Sequence, residues 1–473
     1  MQTFASNVMA VFDILLAIYF MAANGTYTFL MILSAGSVWL HRRRYSYEGL
    51  QQLRESPVTP PVTIIMPAWN EQEVIVNSVR SVLRTDYPGV EIVVIDDGSS
   101  DETLDRLVTA FSLAPVSPIS RPRLPTSPVR SFHSSAEFPN LLVISKERGG
   151  KADALNTGLN MCRTPYFCTL DADCILDRDA LLRLMRPVIR SRINLVASGG
   201  IVRVLNGCTV VDGQVTKVDL PRTSLERFQV VEYLRSFLFG RTGWNLLGAT
   251  VIVSGAFAVF HRETVIEADG FSHDTVTEDM ELVVRLRRWA AAHQSAINIS
   301  FTSDPVCWAE CPHTRKMLAR QRRRWQLGLC QTLWKNSVML FNPAFGAAGL
   351  VSLPFHAGVE GLGALLEAAG YLILPLAAFL NPSLLRFLLP FLLLSLAYAG
   401  FLSVAAVVME EMTYRRYASL RDLAILLLYG LLENFGYRQL VLWYKLQGMF
   451  RFVAGFGRWE KVTHVAAREQ PAR

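Results

Sequence analysis

Long apolar runs lie near both ends of the chain, and shorter ones alternate with polar positions between them. Residues 8–40 form an almost unbroken apolar run that is followed at once by the basic run 41–44. A signal peptide carries its positive charge in front of the apolar stretch, so this order predicts a retained membrane anchor. We favour one long tilted helix. The alternative is a hairpin, whose arms of about 16 residues would fall short of the ~20 needed to cross a bilayer.

Two further apolar runs, 359–380 and 384–409, predict membrane spans towards the C-terminus. A shorter run, 423–432, leads into polar residues, and it fits either another span whose polar groups face a cavity or an interfacial helix. The pattern therefore predicts about three or four transmembrane segments. We also expect residues 344–356 to lie on the membrane surface.

Short apolar runs alternate with helical patterns between residues 60 and 200, which is typical of a parallel sheet covered by helices. The runs that predict strands are 62–66, 91–95, 141–145 and 166–170. In such sheets ligands bind beyond the carboxyl ends of the strands, so the residues that close each run are the candidates for chemistry. One segment, 114–139, holds six prolines and several serines, and we predict an irregular surface insertion there.

Composition agrees with a water-facing domain held by membrane segments at its two ends. Of the 473 residues, 51% are hydrophobic and 18% are charged, below the roughly 25% charged residues of ordinary soluble domains. The net charge of +7 fits cytoplasmic flanks of membrane spans, so we expect no nucleic-acid partner. The seven cysteines are irregularly spaced and suit free thiols in a reducing compartment.

The positive-inside rule gives the chain an orientation. The basic run 41–44 follows the first apolar run, and no lysine or arginine precedes it. We therefore predict a multi-pass protein of the cell inner membrane or plasma membrane, with its N-terminus outside and its central domain in the cytoplasm.

Acidic residues close two of the predicted strands. Asp96 and Asp97 follow the second strand, where they either solvate the start of the next helix or accept hydrogen bonds from a nucleotide base. Asp171 and Asp173 follow the fourth strand, and residues i and i+2 of an extended chain point to the same side. Two such carboxylates, together with substrate phosphates, suit a hard divalent cation. The alternative is again an ordinary turn.

A glycine pair and a lysine lie ahead of another predicted helix. Gly149, Gly150 and Lys151 follow Lys146 after the third strand. Backbone amides and an ammonium group at a helix N-terminus suit contacts to phosphate. The alternative is a loop with a solvated lysine.

Two motifs lie further along the chain. Thr277, Glu278 and Asp279 precede a helical pattern, so either Thr277 caps a helix whose first turn is acidic or Asp279 acts as a general base. Gln321, Arg324 and Trp325 fall on one face of a basic helix by the i, i+3, i+4 rule. That face can bind phosphate through the arginine and stack a sugar on the tryptophan. We expect the neighbouring Arg320, Arg322 and Arg323 to face anionic lipid.

In this order, the motifs resemble those of family 2 glycosyltransferases, specifically the processive synthases of cellulose, chitin, hyaluronan and poly-N-acetylglucosamine. The resemblance covers roughly residues 60–335. It implies nucleotide-sugar binding by Pro67, Asn70, Glu71, Asp96, Asp97, Lys146, Gly150, Lys151, Asp171, Gln321, Arg324 and Trp325. It implies metal binding by Asp171 and Asp173, acceptor contacts from Ser254, Gly255, Glu278 and Trp325, and a catalytic element of Thr277, Glu278 and Asp279, with Asp279 as the base.

The same resemblance implies an α/β GT-A (Rossmann-like) fold, a UDP-sugar donor, Mg²⁺ or Mn²⁺ as cofactor, and inversion at the anomeric carbon. The predicted function is processive synthesis of a β-linked polysaccharide, with UDP-N-acetylglucosamine favoured over UDP-glucose, and help in its export. The predicted partners are the UDP-sugar, the growing polysaccharide and membrane lipid. Because three or four spans are few for a polysaccharide channel, we also predict that a second copy of the chain or a small membrane accessory subunit is a partner.

Two alternatives remain open at this point. One is a non-processive transferase that adds one sugar to a lipid or lipid-linked acceptor. The other is a transferase-like scaffold or receptor without activity. The predicted domains are an anchor helix (8–40), the GT-A domain (58–312), interfacial helices with the Gln-x-x-Arg-Trp motif (313–356), a C-terminal transmembrane region (357–447) and a tail (448–473).

Overall fold

The computed structural model describes residues 2–44, 48–119, 121–190, 194–417 and 419–455. Within them, ten strands form one mixed sheet and two more form a separate ribbon. The strands are β1 (Val62–Ala68), β2 (Val90–Asp96), β3 (Leu113–Val116), β4 (Val129–Ser135), β5 (Leu141–Lys146), β6 (Tyr166–Leu170), β7 (Ile175–Leu176), β8 (Leu195–Val204), β9 (Thr209–Val211), β10 (Gln214–Lys217), β11 (Phe257–His261) and β12 (Asn298–Ala309).

The sheet has the order β3-β4-β5-β2-β1-β6-β11-β8-β12-β7. Its centre is parallel: β5, β2, β1 and β6 run in one direction, and they are the four strands that the sequence predicted. β11 is antiparallel to both of its neighbours, and β8 pairs in parallel with β12. Because the carboxyl ends of the four parallel strands meet at one edge, the residues that follow them are brought together there.

Near-continuous apolar strands are buried because helices cover both faces of the sheet. Successive side chains of a strand point to opposite faces. Accordingly Ile64 and Met66 of β1 belong to one hydrophobic cluster, whereas Ile65 belongs to another with Val93 and Ile95 of β2. The central strands are therefore fixed from both sides, and the loops at their carboxyl ends start from a rigid base.

Sixteen α-helices are described. They are α1 (Gln2–Arg44), α2 (Glu48–Glu55), α3 (Ile75–Leu83), α4 (Thr103–Ala110), α5 (Lys151–Met161), α6 (Ala180–Arg190), α7 (Ser224–Leu234), α8 (Thr242–Leu246), α9 (Arg262–Glu267), α10 (Glu278–Ala292), α11 (Arg315–Lys335), α12 (Leu353–Phe355), α13 (Gly363–Leu380), α14 (Leu385–Thr413), α15 (Leu420–Leu432) and α16 (Tyr437–Val453). Three π-helical segments, Arg235–Arg241, Ala348–Ser352 and His356–Leu362, and three 3₁₀ turns, Ser337–Met339, Pro343–Phe345 and Pro382–Leu384, complete the helical structure.

The prediction of an irregular insertion at 114–139 is wrong in part. β3 and β4 lie largely within this segment and pair with each other in antiparallel fashion, and β4 pairs with β5. Pro115 lies in β3, which is the outermost strand of the sheet. An edge strand tolerates proline because its missing N–H costs no ladder hydrogen bond on the open side.

Three helices in the described part of the chain are long and apolar enough to cross a membrane: Ile14–Ser37, Ala348–Leu380 and Leu388–Thr413. The first belongs to α1, which is one continuous helix and not a hairpin. The second begins at Ala348, so most of 344–356, which we expected on the membrane surface, lies within this candidate span.

The length of α15 bears on the two alternatives for the last apolar run. It has 13 residues and measures about 20 Å at 1.5 Å per residue. The hydrocarbon core of a bilayer is about 30 Å thick. α15 is therefore too short to cross it, which favours the interfacial alternative.

Buried polar contacts tie the membrane helices to the sheet. Arg203 of β8 forms a 2.6 Å ion pair with Glu410 of α14, and both side chains are buried. Arg416, just beyond α14, forms a 3.1 Å ion pair with Asp177, which follows β7. The segment from Asp171 to Asp177, which includes β7, is thus anchored to the end of a candidate membrane span.

Candidate active site

One cavity of about 1160 Å³ joins the sheet edge to the membrane helices. At one end it is lined by residues that follow β1, β2 and β6, and at the other by residues of α1, α13 and α14. The predicted site residues that line it are Pro67, Glu71, Asp97, Gly150, Lys151, Asp171, Asp173, Ser254, Gly255, Thr277, Glu278, Asp279, Gln321, Arg324 and Trp325. Asn70, Asp96 and Lys146 do not line it.

Lys151 connects three motifs that are far apart in the sequence. It begins α5 directly after Gly150, whose φ of 94° suits a residue without a side chain. Its Nζ lies 2.6 Å from Asp171 Oδ1 and 3.1 Å from Glu278 Oε1. One ammonium group therefore bridges the carboxylate that follows β6 and the first residue of α10.

The charges at this bridge shift one another's pKa. Burial acts to lower the pKa of Lys151, but the Asp171, Glu278 and Asp279 carboxylates outweigh it and raise that pKa above its ordinary value. Burial raises the pKa of Asp171 although Lys151 opposes the shift. Burial also acts to raise the pKa of Glu278, but Lys151 and Arg324 lower it below the usual range.

Asp279 is a partly buried carboxylate without a salt bridge among the described residues. Its Oδ2 accepts a 2.8 Å hydrogen bond from the backbone N–H of Gly255. A side chain at Gly255 would lie only 2.7 Å from the same oxygen, so this close approach requires glycine. Burial and the neighbouring Glu278 raise the pKa of Asp279, and Lys151 acts in the opposite direction. A carboxylate with a raised pKa facing a cavity suits a general base.

Thr277 does not cap α10, because its side chain makes no cap hydrogen bond. It packs against α11, where a Cβ at Gly328 would lie 2.2 Å from Thr277 Oγ1. The absence of a side chain at Gly328 thus lets α11 approach the start of α10. This approach brings the face with Gln321, Arg324 and Trp325 to the same cavity as Asp279.

The sequence led us to expect that Arg320, Arg322 and Arg323 of α11 face lipid, and for Arg322 this prediction is wrong. Arg322 is buried and forms a 2.8 Å ion pair with Glu232 of α7. Its guanidinium also lies 4.3 Å from the ring centre of Trp325. Arg322 therefore holds Trp325 in place, because a guanidinium stacks favourably on an indole face.

Lys146 lies behind the cavity and not in it. The side chain is fully buried, and its Nζ lies 3.0 Å from Asp97 Oδ1 and 2.5 Å from Asp153 Oδ1. Asp97 also accepts hydrogen bonds from the N–H groups of Gly149 (2.9 Å) and Gly150 (2.8 Å). The Lys146 Nζ also donates to the backbone oxygen of Glu147 at 2.6 Å. Lys146 thus fixes the turn that presents Gly150 and Lys151, and its three acceptors leave no ammonium hydrogen free for a phosphate.

Asp96 and Asn70 also bind protein groups. The Asp96 carboxylate accepts from the Ser99 N–H and the Ser145 hydroxyl, each at 3.1 Å. Asn70 Oδ1 accepts from the Ser100 N–H at 2.7 Å. These contacts hold the turns after β1 and β2 together beside the cavity.

Comparison with known families supplies the class of this site. The family model described as glycosyl transferase family group 2 matches residues 166–429, which is more than half of the chain, and a second model, glycosyl transferase family 2, matches residues 63–123. The chain belongs to glycosyltransferase family 2. It is therefore a glycosyltransferase, and its mixed sheet is the GT-A fold that the resemblance implied.

The relatives of this glycosyltransferase include poly-β-1,6-N-acetyl-D-glucosamine synthases. Those of Staphylococcus aureus (strain COL) and of Staphylococcus epidermidis are each 26% identical over 267 residues, which is 56% of this chain and 54% of each relative. The chain spans about half the length of the curated relatives it matches.

Solved structures align more loosely with this glycosyltransferase. A mannosyltransferase from Pyrobaculum calidifontis in complex with GDP-Man and Mn²⁺ has a TM-score of 0.48 and 18% identity, covering 90% of this chain and 98% of that one. Staphylococcus aureus TarS (1–349) in complex with UDP-GlcNAc has a TM-score of 0.38 and 14% identity, covering 80% and 92%.

The glycosyltransferase site contains residues that the sequence did not single out. Arg148 lies 3.5 Å from the ring centre of Trp69, and both line the cavity. The available signal was their position, since Trp69 lies between Pro67 and Asn70, and Arg148 lies between Lys146 and Gly149. Arg241 also lines the cavity, but no motif in the sequence around it marked it as a candidate site residue.

Several cavity-lining residues of this glycosyltransferase carry a buried polar atom that has no hydrogen-bond partner in the described part of the chain. These atoms are Arg241 Nη1, Thr250 Oγ1, Thr277 Oγ1, Gln321 Oε1 and Arg324 Nε. Buried polar groups are normally paired. Their concentration around one cavity indicates a polar ligand.

The carboxylates present suit a divalent cation that is shared with a substrate. Among the described residues, no three His, Cys, Asp or Glu side chains gather so that they could hold a metal ion. Asp171 and Asp173 therefore fit a cation only if further oxygens come from elsewhere. Mg²⁺ is commonly bound in this way, by one or two carboxylates and substrate phosphates.

Proposed function

We propose that this glycosyltransferase makes a β-linked polysaccharide processively from a UDP-sugar and helps to move the product across the membrane. The observation that carries the proposal is the continuity of the cavity, which runs from Asp171 and Asp279 to residues of α1, α13 and α14. A product that stays bound between additions needs such a path from the base into the membrane. An enzyme that releases a soluble product after each addition does not need one.

UDP-N-acetylglucosamine is the donor we propose first, and UDP-glucose the next. The curated relatives at 26% identity are named as synthases of an N-acetylglucosamine polymer, which supports the first choice. The basic run 41–44 supports a cytoplasmic site with the N-terminus outside, in the cell inner membrane or plasma membrane.

Donor binding in this proposal uses the residues at the sheet edge. Pro67, Glu71 and Asp97 line the side where the nucleotide would bind. Lys151 and Arg324 would donate hydrogen bonds to the diphosphate, since charge-assisted bonds to phosphate are strong. Lys151 would then exchange its bond to Asp171 for one to the substrate.

Asp171 and Asp173 would hold Mg²⁺ or Mn²⁺ in this proposal. Such a cation neutralises the charge that develops on a leaving diphosphate. The release of Asp171 by Lys151 would free the first of these two carboxylates for that role.

Transfer itself is a displacement at the anomeric carbon of the donor. The acceptor hydroxyl oxygen forms a bond to this carbon while the bond from the carbon to the diphosphate oxygen breaks, and the bonding electrons leave with UDP. The hydroxyl proton passes to Asp279. Attack opposite the leaving group inverts the configuration, which yields a β-linkage from an α-linked donor.

The acceptor sugar would lie between Asp279 and the aromatic face of α11. Trp325 is 38% exposed and lines the cavity, so its indole can stack on a sugar ring. Ser254 and Gly255 approach the same place because Gly255 contacts the Asp279 carboxylate. A stacked acceptor can slide after each addition without being released.

A second candidate function rests on the lining of the membrane end of the cavity. There the lining residues include Leu16, Leu374, Leu388 and Leu392, which suit a hydrocarbon chain better than a wet glycan. This observation favours transfer of one sugar to a lipid-linked acceptor. In the polymerase proposal, the same lining is a reason to expect a second copy of the chain or a small membrane subunit that completes the path.

The test is a panel of UDP-sugars given to purified enzyme in lipid vesicles, followed by linkage analysis and sizing of the product. We expect one UDP-sugar to give a long β-linked polymer and Asp279→Asn to give none. A single added sugar on lipid would support the second candidate and refute the first. Equal UDP release by the Asn variant and wild type would contradict the assignment of the base.

A further inference from the structure

Arg241 is a charged group of the cavity that the proposed mechanism does not use. It is the last residue of the π-helical segment Arg235–Arg241 and lines the cavity. Its guanidinium carbon lies 3.9 Å from the ring centre of Phe237. Its Nη1 is buried and has no hydrogen-bond partner among the described residues.

Two other arginines that line this cavity are paired with carboxylates. Arg235 forms an ion pair with Glu433, and Arg322 forms one with Glu232. Removing a guanidinium from water without an acceptor is costly unless a ligand supplies one. The unpaired state of Arg241 therefore points to a ligand atom that accepts hydrogen bonds.

Asp279 is the complementary group across the same cavity. It is a partly buried carboxylate that accepts from the Gly255 N–H but has no salt bridge in the described part of the chain. Burial lowers the pKa of Arg241 to about 10, although the negative charge of Asp279 acts to raise it. Arg241 is therefore charged at neutral pH, and it forms no ion pair with Asp279.

This position separates Arg241 from the donor side of the site. Lys151 bonds to Asp171 and Glu278, where the diphosphate would bind. The segment Arg235–Arg241 instead packs against α1 and α14, at the membrane end of the cavity along which the growing glycan would lie. Its ligand should therefore be the group whose hydroxyl faces Asp279.

We propose that Arg241 binds the acceptor, by donating hydrogen bonds to an oxygen of the terminal sugar of the growing glycan while a hydroxyl of that sugar faces Asp279. This inference rests on the proposed function. Guanidinium donates and cannot accept, so the recognised atom is a hydroxyl, ring or acetamido carbonyl oxygen. The stacking on Phe237 fixes the plane of the guanidinium and so the direction of these hydrogen bonds.

The test compares Arg241→Gln and Arg241→Lys with wild type in steady-state kinetics. The acceptor is a pentasaccharide prepared from the enzyme's own product. Its concentration is varied at a fixed concentration of UDP-sugar, and the concentration of UDP-sugar is then varied at a fixed concentration of acceptor. UDP release to water without acceptor is the third readout. Arg183→Gln is the matched control, because Arg183 is also partly buried but bonds to the Asp179 carboxylate at 2.9 Å, and neither residue lines the cavity.

We expect Arg241→Gln to raise the acceptor KM about 10- to 100-fold, as loss of a charge-assisted hydrogen bond does. The KM for UDP-sugar and the rate of UDP release to water should change less than about twofold, the lysine variant should be intermediate, and Arg183→Gln should match wild type. A raised KM for UDP-sugar with an unchanged acceptor KM would overturn the proposal. An acceptor KM that is raised equally by Arg183→Gln would also overturn it.

The two proposals can fail separately. If the wild-type enzyme polymerises but Arg241→Gln leaves the acceptor KM unchanged, only the role of Arg241 is wrong. If the wild-type enzyme adds one sugar to a lipid phosphate and makes no polymer, the proposed function is refuted, and the assignment of a neutral glycan to Arg241 is refuted with it.

Discussion

The contact between Gly255 and Asp279 gives a sharp test of the assigned base. In Gly255→Ala, the new Cβ would lie 2.7 Å from Asp279 Oδ2, 3.0 Å from its Cγ and 3.1 Å from its Cβ. Non-bonded carbon atoms prefer about 3.5–4.0 Å. The carboxylate must therefore move by about 0.5–1 Å, and the open direction is into the cavity.

This displacement sets the expected size of the effect. A misplacement of about 1 Å at a reacting group can cost on the order of 100-fold in rate. We expect kcat for UDP release to fall about 10- to 100-fold, with little change in the affinity for UDP. Overpacking of a rigid core costs about 1–3 kcal/mol, and the loss of stability here should be at the low end because the carboxylate can move into open space.

The assay measures kcat and KM with the preferred UDP-sugar, UDP affinity by calorimetry, and thermal unfolding. Gly358→Ala is the matched control, because nothing lies within 4 Å of a Cβ at Gly358, and it should keep wild-type kinetics. An unchanged kcat in Gly255→Ala would refute the role of Asp279. A loss of kcat that merely follows a large loss of folded protein would refute the steric argument.

Three further changes test other parts of the site. Asp279→Asn should lower kcat by about 10²–10⁴-fold, the usual contribution of a general base, and calorimetry should find UDP affinity unchanged; a rate within threefold of wild type would contradict the assignment. Lys151→Met removes an ammonium that lowers the pKa of Asp279, so the acid limb of the kcat–pH profile should move to higher pH. An acid limb that stays in place or moves down would contradict this sign. Lys146→Met leaves two buried carboxylates without their cation, so it should lower the free energy of unfolding by about 3–5 kcal/mol, whereas the exposed Lys217→Met should not; equal unfolding curves would show that the buried contacts do not matter.

Much of this architecture could be predicted because strong local patterns carry it. The four central strands are short apolar runs closed by polar residues, and their parallel pairing brings Asp97 and Asp171 to one edge. The spacing of Gln321, Arg324 and Trp325 put them on one helix face, and all three line the cavity. In each case the pattern of neighbouring residues in the sequence was enough to predict where they lie.

Other features depend on tertiary contacts that no local pattern encodes. Lys146 and Lys151 flank one short loop, yet one is buried between two carboxylates and the other bridges Asp171 and Glu278. The sequence assigned both to the nucleotide because their chemistry is the same. Arg241 was missed because its role is inferred from a buried guanidinium nitrogen without a hydrogen-bond partner, and only the structure shows this.

The edge of the sheet shows a third limit. Proline and serine in 114–139 predicted irregular structure, but β3 and β4 form there because β5 offers an unpaired edge. Pairing with an existing strand can outweigh weak intrinsic propensity. Such edge strands are therefore hard to recognise from composition alone.

The central claim is that the acceptor stays in the continuous cavity between additions. The most direct measurement is the chain-length distribution over time, with vesicle-embedded enzyme, labelled UDP-N-acetylglucosamine and a large molar excess of primer. The account predicts long chains at the earliest times while most primer remains unextended. A uniform population in which every primer grows by one sugar at a time would contradict it.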